Sequence, residues 1–532
     1  MKKIRFCAAQ LNTTVGDIRG NTLKVLRAVK HAQDKKADMI ILPELALTGY
    51  PPEDLLLKSE FVSDNMAAAR KIAKKTGKIT AVLGFVNRHR GRLYNSAAVI
   101  QNKKIKSVYN KVNLPNYGVF DEKRYFEPGK KPLIISCGGM KIGITICEDI
   151  WQKNRILDAM KSGVDYIANL SASPYHAGKW RQRFGVLRSM SRYYRAGIVY
   201  VNLTGGQDEL VFDGHSVVTD KKGGITAEAA QFKEDYIFYD TGSRGKRIKP
   251  LGPVKEVFSA LTSGTRDYVL KNGFKKAVVA LSGGIDSALV SVIAAEALGR
   301  ENVDLIFMPS RFSSKTSFLD AEKLSSNMGI KLKVVSIEKA AALYNSMLAG
   351  FFKGRKSDIT EENLQARIRG NIVMAFSNKF GSIVLTTGNK SEMSTGYATL
   401  YGDMAGGLAV IKDVPKTMVF KLARGINEWK GFDLIPKSII KKPPSAELKP
   451  GQKDSDTLPP YNILDAIIED YVEKDRPAAR LKGRYKAALL KKTIRMIDLS
   501  EYKRRQAPPG IKITPKAFGR DRRMPVTNKY RD

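Results

Sequence analysis

Cysteine and histidine are scarce in this sequence: 532 residues include three of the first and four of the second. Cys7, Cys137 and Cys147 lack both the spacing of a metal site and the pattern of a disulfide framework. His31, His89, His176 and His215 are spread too widely to suggest a histidine-rich metal centre. Any metal would then rest on carboxylates and phosphates, which suits Mg2+. Long apolar runs are missing too. The opening "MKKIRFCAAQLN" has too short a hydrophobic stretch for a secretory signal. The most apolar window, residues 288–298, contains Glu296 and is too short to span a bilayer. The expectation is a cytoplasmic chain with no membrane partner. Acidic residues are outnumbered, 52 against 91 Lys and Arg, giving a formal charge of +39. Such an excess invites an acidic partner. The basic residues are scattered, however, and no RRM, helix-turn-helix or zinc-finger pattern appears. The reading is a general richness in lysine, with anionic nucleotide substrates as a secondary contribution and no specific nucleic-acid partner.

What is present describes a soluble α/β protein of more than one domain. Hydrophobic content of 43% and charged content of 27% are ordinary for globular chains, and the length exceeds what one core serves. Residues 240–256, "DTGSRGKRIKPLGPVKE", are rich in Gly, Pro and basic residues and lack apolar periodicity. They predict domains at 1–240 and 257–532 joined by a linker at 241–256. Before the linker, short apolar strands such as "MIILPE", "KIGITICED" and "YIANLSAS" alternate with helical segments. After it come "AVVALSGG", "VDLIFMPS", "LKVVSIE" and "SIVLTTGN", which predict a doubly wound parallel sheet. The proline-rich stretch 437–461 reads equally as a lid or as a plain surface connection.

The clearest motif is "SGGIDS": Ser282, Gly283, Gly284, Ile285, Asp286 and Ser287. It leaves an apolar strand and enters a helix, where backbone N–H groups and the helix dipole make an anion site. The two glycines let the backbone approach the anion, and the serines add hydroxyl donors. Asp286 would repel a bare phosphate but can hold Mg2+ that bridges phosphates. The loop is not a Walker A motif, since it has no lysine in place. It resembles the PP-loop of the N-type ATP pyrophosphatases, which adenylate a substrate and release pyrophosphate. A tight glycine turn in a core unit is the bland alternative, made improbable by six matching positions in a strand–loop–helix setting.

Further blocks narrow the resemblance. "TEENLQARIRGN" (360–371), "TTGNKSE" (386–392), "GDMAGGLAVIKDVPKT" (402–417) and "EYKRRQAPPGIKITPKAFGRDRRMP" (501–525) are similar to the NAD synthetase family. The resemblance implies that a carboxylate of deamido-NAD attacks ATP and that ammonia then displaces AMP. It implies Thr387 near ATP and Asn363, Glu392 and Lys503 near deamido-NAD. Glu392 would join Asp286 as a Mg2+ ligand. Asn363 and Arg367, four apart, would share one helix face. Taken singly, each of these charged or polar residues is more often a solvated surface group.

In the first half, Cys147 ends an apolar run before "EDIW", Glu44 closes "MIILPE", and Lys111 precedes a Pro-containing turn. A nucleophile on such a strand-to-helix elbow is exposed and gains help from nearby N–H donors. The surrounding blocks, at 41–57, 109–129 and 143–151, resemble the nitrilase superfamily. That resemblance implies an αββα sandwich, with Cys147 as nucleophile, Glu44 as general base and Lys111 as the cation that steadies the tetrahedral intermediate. Glu122 would be an auxiliary carboxylate. "NLSASPYHAGKWRQR" (169–183) resembles the glutaminase branch and implies that Ser173, Lys179 and Tyr117 contact L-glutamine. A buried, inert thiol remains the ordinary reading for Cys7 and Cys137.

The two halves in this order resemble the glutamine-dependent NAD synthetases. The substrates implied are deamido-NAD, ATP and glutamine, and the assembly implied is a homo-oligomer, at least a dimer through the synthetase half. Two alternatives stay open. One is an amidotransferase with the same loop but another carboxylate substrate. The other is a basic RNA-binding or scaffolding protein built on inactive domains.

Overall fold

The computed structural model describes residues 3–161 and 163–530. The chain divides into two compact units, Met1–Leu251 and Gly252–Asp532.

The first unit is built on two mixed six-stranded sheets. One runs Asp235–Asp240, Arg5–Gln10, Met39–Ile41, Thr80–His89, Arg92–Gln101, Lys104–Asn110. The other runs Ile225–Glu228, Val217–Thr219, Gly197–Asn202, Tyr166–Ser171, Met140–Ile146, Leu133–Cys137. Each has parallel pairs at its centre and antiparallel pairs at its edges. Period-two alternation explains the layering. On the first sheet Phe6, Ala8, Met39, Ile41, Val82, Ala97 and Val99 pack with Ile142, Ile144, Ile146 and Ile167 of the second. Their neighbours Cys7, Ala9, Ile40, Ala81, Leu83 and Ala98 face the other way, onto Val25, Ala28 and Ala32 of helix Ile18–Asp34 and Ala69 and Ile72 of helix Ser59–Lys75. Helix Lys179–Tyr194 supplies Phe184, Leu187 and Met190 to the second sheet. The result is the αββα sandwich.

Part of the stretch expected as a linker is bonded to this unit. Gly245 N–H donates to Thr226 O and Glu228 N–H to Lys246 O, both at 2.9 Å. Arg247 Nε reaches the buried Glu228 carboxylate at 2.7 Å, and Leu251 N–H reaches Gln231 Oε1 at 2.8 Å. Pro253 then opens helix Pro253–Lys271, the first helical position being the one where its missing N–H costs nothing.

The second unit is a parallel five-stranded sheet in the order Leu332–Val334, Val303–Phe307, Lys276–Ala280, Ser382–Thr386, Leu408–Ala409. The central strand, Lys276–Ala280, was followed in sequence by the glycine loop. Helix Ile285–Leu298 begins there and is buried on most sides, which is why its sequence is apolar all round rather than striped. Among the described residues no helix is long and apolar enough to cross a membrane.

The C-terminal segment is locked to helix Lys390–Thr395 by one buried lysine. Lys390 Nζ lies 2.9 Å from Asp413 Oδ1 and 2.7 Å from Glu473 Oε1, and donates to Thr514 Oγ1 at 2.6 Å. Asp413 also accepts the N–H groups of Ile513 and Thr514 at 2.8 and 2.7 Å. Removing the ammonium would leave two buried carboxylates without their cation. Lys390→Ala should therefore destabilise the second unit by about 3–5 kcal/mol. Urea unfolding followed by Trp429 fluorescence, with Trp151 and Trp180 changed to Phe, measures this; an unmoved midpoint would contradict it.

Candidate active site

In the first unit the side chains singled out in the sequence come together where the sheets end. Glu44 follows strand Met39–Ile41, Lys111 follows Lys104–Asn110, and Cys147 follows Met140–Ile146. Lys111 Nζ donates to Glu44 Oε1 at 2.7 Å and to both oxygens of Glu122 at 2.8 and 2.9 Å. All of these groups are buried. Asn95 Nδ2 donates to Glu44 Oε1 at 2.7 Å, Ala172 N–H to Glu44 Oε2 at 2.8 Å, and Tyr50 OH to Glu122 Oε1 at 2.9 Å. Burial works against the Lys111 charge, but Glu122 and Glu44 outweigh it and hold the ammonium well above the usual lysine range. Burial raises the Glu122 carboxyl, with Lys111 opposing.

Cys147 has φ +42°, a left-handed conformation rare for a side chain larger than glycine. It opens a short 3-10 turn, Cys147–Ile150, rather than continuing the strand. Burial pushes its thiol well above the ordinary value; Glu44 adds to the shift and Lys111 opposes it. The cysteine at the elbow is thus not solvent-exposed, contrary to the sequence expectation for such a turn; the side chains around it close over it.

Tyr117, Ser173 and Lys179 lie on segments around this turn. Tyr117 OH donates to both oxygens of Glu148, at 3.1 and 3.0 Å. Ser173 is buried, and its N–H donates to Asn202 Oδ1 at 2.8 Å. Lys179 Nζ donates to Pro174 O at 2.8 Å and lies 5.7 Å from the centre of the Trp151 ring. Glu148 was not singled out from sequence. Its place directly after Cys147 was the signal, and its carboxylate suits an ammonium group.

In the second unit a cavity of about 280 Å3 opens at the carboxyl ends of the strands. Ser282, Gly284, Ile285, Asp286, Ser287, Thr387 and Glu392 line it. Gly283 turns away at φ +77°, its Cα so close to Ser317 that a Cβ would stand 2.2 Å from the Ser317 carbonyl oxygen. The loop hydroxyls bond within the loop, Ser282 Oγ to Ser287 Oγ at 3.0 Å and Ser287 Oγ to Gly284 O at 3.0 Å. Asp286 and Glu392 meet on one ammonium group: Lys416 Nζ donates to Asp286 Oδ2 and, at 3.1 Å, to Glu392 Oε1. Burial and the Asp286 charge push Glu392 up to about 8, with Lys416 opposing.

Asp286 and Glu392 converge on one ammonium group, a pair of oxygen donors of the kind that suits a hard divalent cation. Among the described residues no group of three or more His, Cys, Asp or Glu could hold a metal. The remaining oxygens of a Mg2+ shell would have to come from phosphates and water, which is the usual arrangement for that ion.

Asn363 and Lys503 do not line this cavity. Asn363 Oδ1 accepts from Thr399 Oγ1 at 2.8 Å, and its neighbour Arg367 donates to Leu400 O at 3.2 Å. The cavity takes Ala366, Arg369, Gly370 and Val373 from the same helix, the adjacent stripe. Lys503 Nζ donates to Gly396 O and Ala398 O at 2.7 and 2.8 Å. Ala398 borders a smaller cavity of about 60 Å3 that shares Thr387, Glu392, Tyr397 and Asp403 with the larger one. Burial pushes Asp403 up to about 6, against the Thr399 N–H that it accepts. The proline-rich stretch contributes a wall. Residues 442–448 line the large cavity, and Glu447 accepts from Ser314 Oγ and Ser317 Oγ at 2.9 and 2.7 Å.

Two family models match the chain, Carbon-nitrogen hydrolase over residues 5–243 and NAD synthase over residues 257–507. A glutamine-dependent NAD(+) synthetase of Thermotoga maritima is 47% identical to it over 577 aligned positions, covering 100% of both chains. One of Acinetobacter baylyi is 43% identical, covering 100% of this chain and 99% of the relative. A solved glutamine-dependent NAD+ synthetase from Acinetobacter baumannii, in complex with adenosine diphosphate, superposes with a TM-score of 0.82 at 41% identity, covering 99% of each chain.

The packing at Gly283 yields a test. A methyl group there meets backbone rather than a flexible side chain, and the positive φ adds strain. Gly283→Ala should weaken nucleotide binding by at least about tenfold if the loop shifts by enough to cost one or two hydrogen bonds. Alkylation of Cys147 should not change. Calorimetric titration with a non-hydrolysable ATP analogue checks it; unaltered affinity would show that the loop tolerates the methyl group.

Proposed function

Because the chain belongs to the family of glutamine-dependent NAD(+) synthetases, we propose that its two units divide the reaction. The first releases ammonia from glutamine. The second activates deamido-NAD with ATP and amidates it, giving NAD+, AMP and pyrophosphate. The observation that carries this reading is the pairing, in one chain, of the buried Glu44–Lys111–Cys147 cluster with a glycine-loop cavity holding Asp286 and Glu392.

In the first unit, Glu44 removes the Cys147 proton as the sulfur attacks the glutamine amide carbon. The Lys111 ammonium stabilises the oxyanion that forms. Glu44 returns the proton to the departing nitrogen, ammonia leaves, and a γ-glutamyl thioester remains. Glu44 then takes a proton from water, which attacks the thioester, and passes it to the thiolate as glutamate departs. Glu122 keeps Lys111 charged through this cycle. Glu148, steadied by Tyr117, suits the α-ammonium group of glutamine, and Lys179 suits its α-carboxylate.

In the second unit, the N–H groups of the loop from Ser282 to Ser287 receive the phosphates of ATP, with Thr387 beside them. Asp286 and Glu392 would hold Mg2+. When bound, that ion offsets the charge of the departing pyrophosphate. Lys416 stays within reach of the same carboxylates and adds a positive charge to the cavity. Asn363 holds the Thr399 hydroxyl, and Lys503 holds the backbone at Gly396 and Ala398, beside the cavities. They serve deamido-NAD through the surface that they shape.

A homo-oligomer through the second unit belongs to the same reading. It is supported by a stripe of exposed apolar side chains, Leu343, Met347, Phe351 and Ile359, at 61%, 64%, 85% and 66% exposure. A soluble monomer seldom leaves such a stripe bare.

Two predictions follow from this division. Cys147→Ala should lose glutamine-dependent NAD+ synthesis and keep synthesis from ammonium salts at alkaline pH, where more NH3 is present. Glu44→Ala and Lys111→Ala should behave alike, because the three act as a unit. Coupled assays with each nitrogen source decide it; loss of the ammonium-dependent reaction in folded Cys147→Ala would refute the division of labour. Second, Met347→Glu combined with Phe351→Glu should lower the particle mass measured by light scattering after gel filtration. A native chain that is monomeric at micromolar concentration would refute the oligomer.

A further inference from the structure

The Lys111 backbone is tied to its own sheet. Its N–H donates to Asn95 O at 2.8 Å, and its carbonyl accepts from Gly129 N–H at 2.7 Å. Cys147 belongs to the other sheet. Among the described residues no strand pairing joins the two sheets; apolar packing holds them together, and a directional bond between the segments that carry lysine and cysteine would set their register. The Asp149 carboxylate lies at this junction and is fully buried. Its Oδ1 accepts from the N–H groups of Val112 and Asn113, at 3.1 and 2.7 Å, directly after Lys111. Its Oδ2 accepts from Ile146 N–H, directly before Cys147, at 2.9 Å, and from Tyr109 OH at 2.7 Å.

From this geometry we infer that Asp149 is a positioning residue, whose carboxylate struts the two sheets apart at the distance that sets the Lys111 ammonium against the Cys147 sulfur. The inference rests on the roles given to Lys111 and Cys147 above. Asp149 touches neither reacting atom. It acts through backbone on both sides: three of its four bonds reach Tyr109, Val112 and Asn113 at the end of a first-sheet strand, and the fourth reaches Ile146 at the end of a second-sheet strand. The turn it braces is the strained one at Cys147, which by itself would relax toward a negative φ. A carboxylate suits this task better than an amide, because every group that faces it is a donor. An asparagine would set its own NH2 against one pair of those donors and release one side of the strut.

The test is Asp149→Asn in the full-length enzyme, with Cys147→Ala as control. The kcat for glutamine hydrolysis should fall about 100-fold, the scale of a 1 Å misplacement. KM for glutamine should stay within about threefold of native, since binding groups are untouched. The pH midpoint for alkylation of Cys147 by iodoacetamide should rise, because the thiolate loses the nearby Lys111 charge. Ammonium-dependent synthesis reports that the protein is folded. Native kcat in Asp149→Asn overturns the inference, as does a loss of kcat with a matching rise in KM and an unmoved alkylation profile. Should Asp149→Asn prove insoluble, Tyr109→Phe removes one of the four donors and leaves three; a several-fold fall in kcat without a change in KM is expected, and native kcat overturns the strut. If Cys147→Ala retains glutamine-dependent synthesis, the assignment of the site fails instead. If it loses that activity while Asp149→Asn keeps it, only the strut fails.

Discussion

A buried ammonium ion needs carboxylates around it, and the molecule uses that constraint in both halves. Lys111 lies between Glu44 and Glu122, and Lys416 between Asp286 and Glu392. In each trio two carboxyl groups surround one ammonium group. Desolvation makes such an arrangement costly unless every partner is bonded. That is why Asn95, Tyr50 and Ala172 N–H close around the first trio, and Asn389 around the second, donating to Asp286 Oδ1 at 3.0 Å. The second carboxyl group in each trio is the one the proposed reading uses. In the first it would take a proton while the lysine stays charged, and in the second it would help to seat a divalent cation once phosphates arrive.

Both candidate centres stand at sharp exits from a strand. Cys147, at φ +42°, and Gly283, at φ +77°, each turn the chain from the end of a strand into a helical segment. At the loop, glycine meets the backbone requirement at little cost, and close packing on Ser317 excludes anything larger. At Cys147 a side chain larger than glycine occupies the left-handed region, so the strain must be held by surrounding bonds. Asp149, which accepts from Ile146 N–H, is one of them.

What could be read from sequence divides along a physical line. Cys147, Glu44 and the loop from Ser282 to Ser287 are local features, apolar strands that end abruptly in chemistry-bearing residues, whereas the αββα sandwich was implied only by the resemblance of the blocks around them. Lys416 was different. It lies 130 residues from Asp286 along the chain, within a block that read as one unit, and nothing in its neighbours marks it as the cation between two carboxylates. Asp149 escaped notice for the same reason, since its partners Val112 and Asn113 come from another sheet. The pairing of Asn363 with Arg367 on one helix face was sound as periodicity, but the cavity takes the adjacent stripe through Ala366, Arg369 and Gly370. Periodicity gives the face of a helix; it does not say which neighbour that face meets.

The balance of charged groups over the whole chain differs from that within its sites. The sequence carries +39, yet each buried trio sets two carboxyl groups against a single ammonium. These act over different distances. Exposed charges are screened within about 8–10 Å at physiological salt, so the excess of Lys and Arg acts at the stage of encounter, drawing anions toward the surface. Inside the sites screening is weak and pairs at hydrogen-bond distance dominate. On the proposed reading ATP and deamido-NAD are anions, so the carboxyl pair beside the loop works against them, and the loop N–H groups, Lys416 and Mg2+ carried with the phosphates would offset it. Glutamine bears no net charge, and the same ratio of two carboxyl groups to one lysine would need no such offset in its site.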